Sequence, residues 1–244
     1  MDDSRFLAAI GRDGAAFGES VAAAGMAARV ESCPEWNVAD LVWHLSEAHD
    51  FWGAVVAERV IHWDQVERTN RVAEDDLLAN YANRLARLIE VLTNADPAQE
   101  VWTWSEQHDV SFVIRRMAQE TAVHRWDADR AADRATAIEA ALASDGIDEF
   151  LTHFLTHFAD EGAEPVGGSV HIHCADVAGE WTIRPRVGGD GYDVTREHAK
   201  GDCALRGGAG DLLLALWRRV GVDRIDVVGD TAVAARFLAA TNLN

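Results

Sequence analysis

Gln119 to Ala132 reads QETAVHRWDADRAA. Glu120 and His124 stand four apart, so on a helix their side chains point the same way. The residues around them are partly apolar, which sets the pair on an inward face rather than in a solvated run. A carboxylate and an imidazole on the inside of a helical layer need a reason to be there. Working outward from this stretch decides the fold. WTWSEQHD, just upstream, reads as a loop, and Asp109 or Ser111 starts a helix that continues to about Ala132. Three further helical stretches precede it. One runs from Ser4 to about Val30. A second runs from Val38 to about Ile61, after CPEWN breaks the pattern and Asn37 offers an N-cap. A third runs from Glu74 to Thr93, where NADP ends it. Four helices with connections of this kind fit a bundle.

Helical character resumes from Ala137 to Phe158, with an interruption expected at SDG. The texture then changes at DEGAEPVGGS. After it come SVHIHCAD, EWTIRPRV, YDVTRE and DCALRG, short alternating runs with Gly and Asp turns between them, which read as strands. Two helices follow, Ala209 to Arg219 and Thr231 to Ala240, with the strand RIDVVG between them. The expected architecture is an α+β chain of two domains. A helical bundle spans 1–162, and a small mixed α/β domain spans 163–244.

Composition narrows the function. The chain has 244 residues, 48% of them hydrophobic, enough for a sizeable core, and a net charge of −19. That charge repels phosphate backbones and anionic membrane surfaces, so neither nucleic acid nor membrane is an expected partner. No apolar run reaches transmembrane length, and MDDSRFLAAIGRDG lacks a basic region followed by an apolar block; a soluble, cytoplasmic protein is expected. The three cysteines, Cys33, Cys174 and Cys203, are too widely spaced for a CxxC zinc site and too few for a disulfide framework.

The chemistry rests on the opening pair. Two ligands do not hold a catalytic metal, and a bundle supplies a third from a facing helix. ADLVWHLSEAHDFW offers His44 among Leu41, Val42 and Leu45, with His49 as its competitor. Two imidazoles and a carboxylate suit a divalent metal with a coordination position left open. The same set describes non-haem iron sites. Bare Glu-x-x-x-His spacing is common, and the bland alternative is a rim carboxylate beside a satisfied core histidine.

Longer motifs carry a resemblance. WNVADLVWHL, Trp36 to Leu45, resembles the DinB-like metal-binding bundles. ETAVHRWD, Glu120 to Asp127, is similar to the mycothiol-dependent maleylpyruvate isomerase branch of that superfamily. HIHCADVAGEWTI, then LLLALWRRV and VVGD, resemble that branch's C-terminal domain of sterol-carrier-like shape. The likeness covers most of the chain in the right order. It implies His44, Glu120 and His124 as ligands of zinc or another divalent ion, and mycothiol as thiol cosubstrate. The implied chemistry starts from a thiolate whose pKa the metal lowers. The thiolate adds to an electrophilic small molecule, for cis–trans isomerisation or for S-transfer. The resemblance also implies an arginine of the C-terminal domain that meets a substrate carboxylate. Arg218 and Arg219 are the leading candidates for that catalytic role, with Arg206 beside them. A different class of function, a non-catalytic metal- or ligand-binding regulator, uses the same residues, as does a non-haem iron enzyme.

Other residues invite weaker readings. Asp127 lies three after His124, within reach to orient its ring. His153 and His157 in FLTHFLTHF read as an amphipathic packing helix. His171 and His173 share one face of a strand with Cys174 on the other, so those three do not converge. Cys33 is placed near the site mouth, and Trp36, Trp43 and Trp52 are read as core aromatics that together shield a metal from water.

Overall fold

The computed structural model describes residues 1–158, 164–186 and 191–240. The contacts divide the chain into two compact units, Met1–Ile138 and Glu139–Asn244. The boundary expected near residue 162 lies outside the described residues, and the observed division comes earlier, because the helix after Ile138 packs with the second unit.

In the first unit, α1 (Asp3–Ala24), α2 (Val38–Ala57), α3 (Leu77–Asn94) and α4 (Val110–Ala131) form a four-helix bundle in which α1 packs on α4 and α3, and α2 on α3 and α4. Caps set the starts. The Asn37 side chain accepts from the Asp40 backbone while Asp40 accepts from that of Asn37, a reciprocal capping box that fixes where α2 begins. Asp109 accepts from the Phe112 backbone and starts α4. The first helix stops six residues short of the expected Val30, because Gly25 turns to φ 80°, outside helical geometry. Ile10, Phe17, Leu41, Leu45, Tyr81, Leu88, Phe112 and Ile114 are all fully buried and fill the bundle core. One polar network threads that core. Arg125 donates to Asp129 at 2.7 Å and pairs with Asp13 at 3.3 Å, and Ser20 donates to Asp129, so α1 is tied to α4 through buried charge.

In the second unit, α5 (Ala140–Glu149) runs without a break through SDG and leads into a π-helical turn, Phe150–Phe154, and the short α6 (Leu155–His157). The sheet contains β1 (Val170–Cys174), β2 (Glu180–Pro185), β3 (Tyr192–Thr195), β4 (Cys203–Gly207) and β5 (Asp226–Gly229), in the order β3-β2-β1-β4-β5. The β1–β4 pair is parallel and the others antiparallel. α7 (Ala209–Leu216) packs on α5, and α8 (Thr231–Ala239) on β1, β4 and β5. Ser144 of α5 donates to the Ala178 carbonyl and Trp181 to Asp148, which is why this helix belongs with the sheet. Gly179 is required at that contact: a Cβ there would stand 2.5 Å from Ser144 Oγ. The expected helical N-terminal part and mixed α/β C-terminal part are therefore both present.

Candidate metal centre

α4 carries most of this site. Arg116, Glu120 and His124 follow at four-residue steps and share one face. Across from them, α2 presents His44. Its Nε2 lies 3.1 Å from Glu120 Oε1, and His124 Nε2 lies 3.2 Å from the same oxygen. The two imidazole rings meet edge to face with centroids 4.8 Å apart. His44, Glu120 and His124 thus bring one ligand atom each into a common space, all within 4.8 Å of one another.

The surroundings orient these atoms. Asp127, 1% exposed, accepts from His124 Nδ1 at 2.8 Å and from Ser32 Oγ at 2.6 Å. With Nδ1 committed to Asp127, Nε2 is the nitrogen that meets Glu120 and His44. Arg116, 3% exposed, donates to the other carboxylate oxygen, Glu120 Oε2, at 3.1 Å. Trp36 leans over both rings, 4.9 Å from His44 and 6.4 Å from His124 between centroids.

Charge follows from this packing. Burial disfavours the charged form of His124, but the Glu120 carboxylate and the Asp127 hydrogen bond outweigh it and push its pKa up to about 9. Burial likewise works against the Glu120 charge, yet His124, His44 and Arg116 hold that carboxyl well below the usual range. Without a metal, the pair is a carboxylate facing an imidazolium. The donor set, two imidazole nitrogens on one carboxylate oxygen with the far nitrogen of one ring pinned, fits a divalent transition metal.

His49 is not part of this group. It is 1% exposed, its Nε2 lies 3.0 Å from Thr121 Oγ1, and burial pushes its pKa down to about 3, so it is a neutral core histidine. Of the three tryptophans, Trp36 lies against the imidazoles. Trp43 lies under the Arg84 guanidinium instead, and Trp52 stacks on Trp102 in the core. Cys33 is half-buried. In the second unit, Arg218 adopts φ 58° just past α7 and donates to the Leu238 carbonyl, Arg219 donates to the Trp217 carbonyl, and Arg206 lies exposed on β4. Sequence reasoning missed Arg116 and Ser32. Arg116 was visible as the residue four before Glu120. Ser32, in the loop before α2, has no local signal, because it meets Asp127 from 95 residues away.

Residues 7–129 match the family model described as the mycothiol maleylpyruvate isomerase N-terminal domain. The chain belongs to the mycothiol maleylpyruvate isomerase family. Residues 141–236 match the model for the C-terminal domain of the same family. Among solved structures, the chain is similar to a crystal structure of the mycothiol-dependent maleylpyruvate isomerase, with TM-score 0.62, 9% identity and 93% of each chain covered. It is also similar to a histidine-to-alanine mutant of that enzyme, with TM-score 0.64, 10% identity and the same coverage. At such identity these structures speak for the fold. No curated protein matches the chain.

Proposed function

We propose that the chain is a metal-dependent enzyme that uses mycothiol, with His44, Glu120 and His124 as the metal ligands and zinc as the ion. The convergence of two Nε2 atoms on Glu120 Oε1, on a chain that belongs to this family, carries the reading. A divalent metal held there lowers the pKa of a thiol beside it, so that a thiolate nucleophile exists at neutral pH. The chain's own residues set the conditions for that chemistry. Asp127 fixes the ring of His124. Arg116 occupies Glu120 Oε2 and leaves Oε1 for the ion. Trp36 packs against the two rings and helps to hold them in place.

The reaction proposed is addition of the thiolate to an electrophilic small molecule. Expulsion of the thiolate after bond rotation gives a cis–trans isomerase; retention of the adduct gives an S-transferase. Arg218 and Arg219 are proposed to bind a substrate carboxylate, since a guanidinium offers it two parallel donors. Among the described residues no helix is long and apolar enough to cross a membrane. The cytoplasmic location read from the sequence is part of this proposal and agrees with the buried thiols Cys174 and Cys203.

The test is metal analysis of the purified protein and of His44→Ala, followed by turnover of maleylpyruvate and of general electrophiles with and without mycothiol. Metal lost in His44→Ala and thiol-dependent turnover in the wild type are expected. Iron with oxygen-dependent turnover would replace this reading with the oxygenase. Metal without turnover of any electrophile would favour the regulator.

A further inference from the structure

The alternation in VHIHC places Val170, Ile172 and Cys174 on the buried face of β1 and His171 and His173 on the other. The neighbouring strand completes the pattern. β2 runs antiparallel with His173 opposite Glu180 and His171 opposite Thr182, so the two histidines and the carboxylate share one face. His173 Nδ1 is hydrogen-bonded to Glu180 Oε1. A fourth group arrives from the segment after β3. Thr182 donates to the Glu197 carbonyl at 3.2 Å, which pins that segment over the sheet. His198, the next residue, reaches Glu180 with Nδ1 at 3.1 Å from Oε1. Its ring meets that of His171 edge to face, with centroids 5.1 Å apart. His171 and His173 share a strand face, as expected, and that face is one wall of a cluster completed by Glu180 and His198.

One ligand atom from each of His171, His173, Glu180 and His198 lies within 4.8 Å of the others. A second observation points to a missing ligand. His171 is 7% exposed, and its Nε2 is buried with no hydrogen-bond partner. A buried ring nitrogen without a partner costs stability unless something fills its valence. Water-exposed His198, with 77% of its side chain accessible, is hydrogen-bonded to Glu180 and lies outside the strands, whereas His171 and His173 are fixed by strand pairing. A tetrahedral ion with bonds of about 2.0–2.1 Å sets its donors roughly 3.3 Å apart. Closing from 4.8 Å to that spacing asks for a shift of about 1.5 Å. His198, exposed and outside the strands, has room to contribute to it by rotamer change.

We propose that His171, His173, Glu180 and His198 form a second divalent-metal site, separate from the His44–Glu120–His124 group. Three imidazoles and one carboxylate suit zinc, and they equally suit the copper and nickel that rank near it for such donors. Four protein ligands leave no open position, so the site is structural: the ion fastens the segment after β3 to β1 and β2. The acidic chain, with a net charge of −19, favours cation entry.

The test uses the full-length protein stripped of metal and titrated with zinc against a colorimetric chelator. Wild type is expected to take up two equivalents. His198→Ala and Glu180→Gln are each expected to lose one equivalent, and His44→Ala to lose the other. His198 is exposed, so His198→Ala does not threaten folding, and a far-ultraviolet spectrum checks this. Two equivalents retained in His198→Ala and in Glu180→Gln would overturn the proposal, as would a single wild-type equivalent that His44→Ala abolishes. A single equivalent that survives His44→Ala but disappears in His198→Ala would support this site while removing the one on which the proposed function rests.

Discussion

Replacing Asp127 by Asn separates the orientation of His124 from its mere presence. The carboxylate is 1% exposed, and its Oδ2 stands 2.8 Å from His124 Nδ1. Asn keeps the shape and an accepting oxygen but removes the charge. A hydrogen bond to a charged group is worth about 1.5–3 kcal/mol and a neutral one about 1 kcal/mol, so roughly 1.4 kcal/mol is lost at the ligand. That corresponds to about tenfold weaker zinc binding, at the lower end of what loss of such a supporting group costs a metal site. Asp127 also favours a proton on the ring, since its hydrogen bond helps to push His124 up to about 9. At neutral pH the variant therefore loses metal affinity and proton competition together, and the two losses offset. The assay is a zinc competition titration repeated from about pH 6 to about pH 9, from which the affinity of the deprotonated ligand set is extracted. A tenfold drop in that constant, with a flatter pH dependence than wild type, is expected. A constant unchanged within twofold in a folded variant would refute the reasoning and leave Asp127 as an anchor for Ser32. Ser32→Ala, which keeps the carboxylate and removes one of its donors, should have a smaller effect.

Other outcomes follow from the same geometry. Arg125→Met leaves buried Asp129 without its arginine and Asp13 with the half-exposed Arg12 as its remaining cation, and should cost about 3 kcal/mol in denaturant unfolding; a loss below about 1 kcal/mol would show that the network relaxes. His49 is neutral in the folded protein, with a pKa of about 3 against 6.5 for the free side chain. The unfolded chain therefore takes up a proton first as pH falls, and this part of the stability is present above pH 6.5 and fades on the way down to about 3. In metal-free protein the stability advantage of wild type over His49→Gln should thus shrink by about 2 kcal/mol by about pH 5, and a gap independent of pH would contradict this. Arg219→Ala and Arg218→Ala are compared by steady-state kinetics on a carboxylate substrate. At least one should raise KM about tenfold, and two wild-type values of kcat/KM would withdraw both arginines.

Much of this was readable because it is local. Asn37 and Asp109 announce the starts of α2 and α4 through bonds that close within three residues. Glu120, His124 and Asp127 are legible for the same reason: helical spacing alone puts them on one side. The extent of α1 was misjudged because AARV keeps a helical texture beyond Gly25, whereas the chain there turns back and bridges Arg29 to Asn37. SDG read as a break, but Gly146 and Ser144 are buried in α5, where small side chains allow close packing and Ser144 meets the Ala178 carbonyl. Local pattern cannot say which unit a helix joins, and it is the contacts of α5 with the sheet that place it in the second unit. Ser32, Glu180 and His198 belong to the same class of omission. Each acts on a residue that only the fold brings near, and nothing in its own neighbourhood marks it.

The three ligands proposed in the helical bundle are unevenly distributed: α4 carries two of them with their supporting groups, and α2 carries one. Everything on α4 moves as a rigid body, so the shape of the site has essentially a single adjustable coordinate, the slide of α2 along α4. A helix rises 1.5 Å per residue, so a slip of one position would shift His44 by half its present separation from Glu120 Oε1. The buried hydrogen bond between His49 of α2 and Thr121 of α4, at 3.0 Å, then acts as a stop on that slide. Small substitutions where α2 meets α4, remote from any ligand, become tuning screws for the chemistry, and variation among such enzymes should collect there.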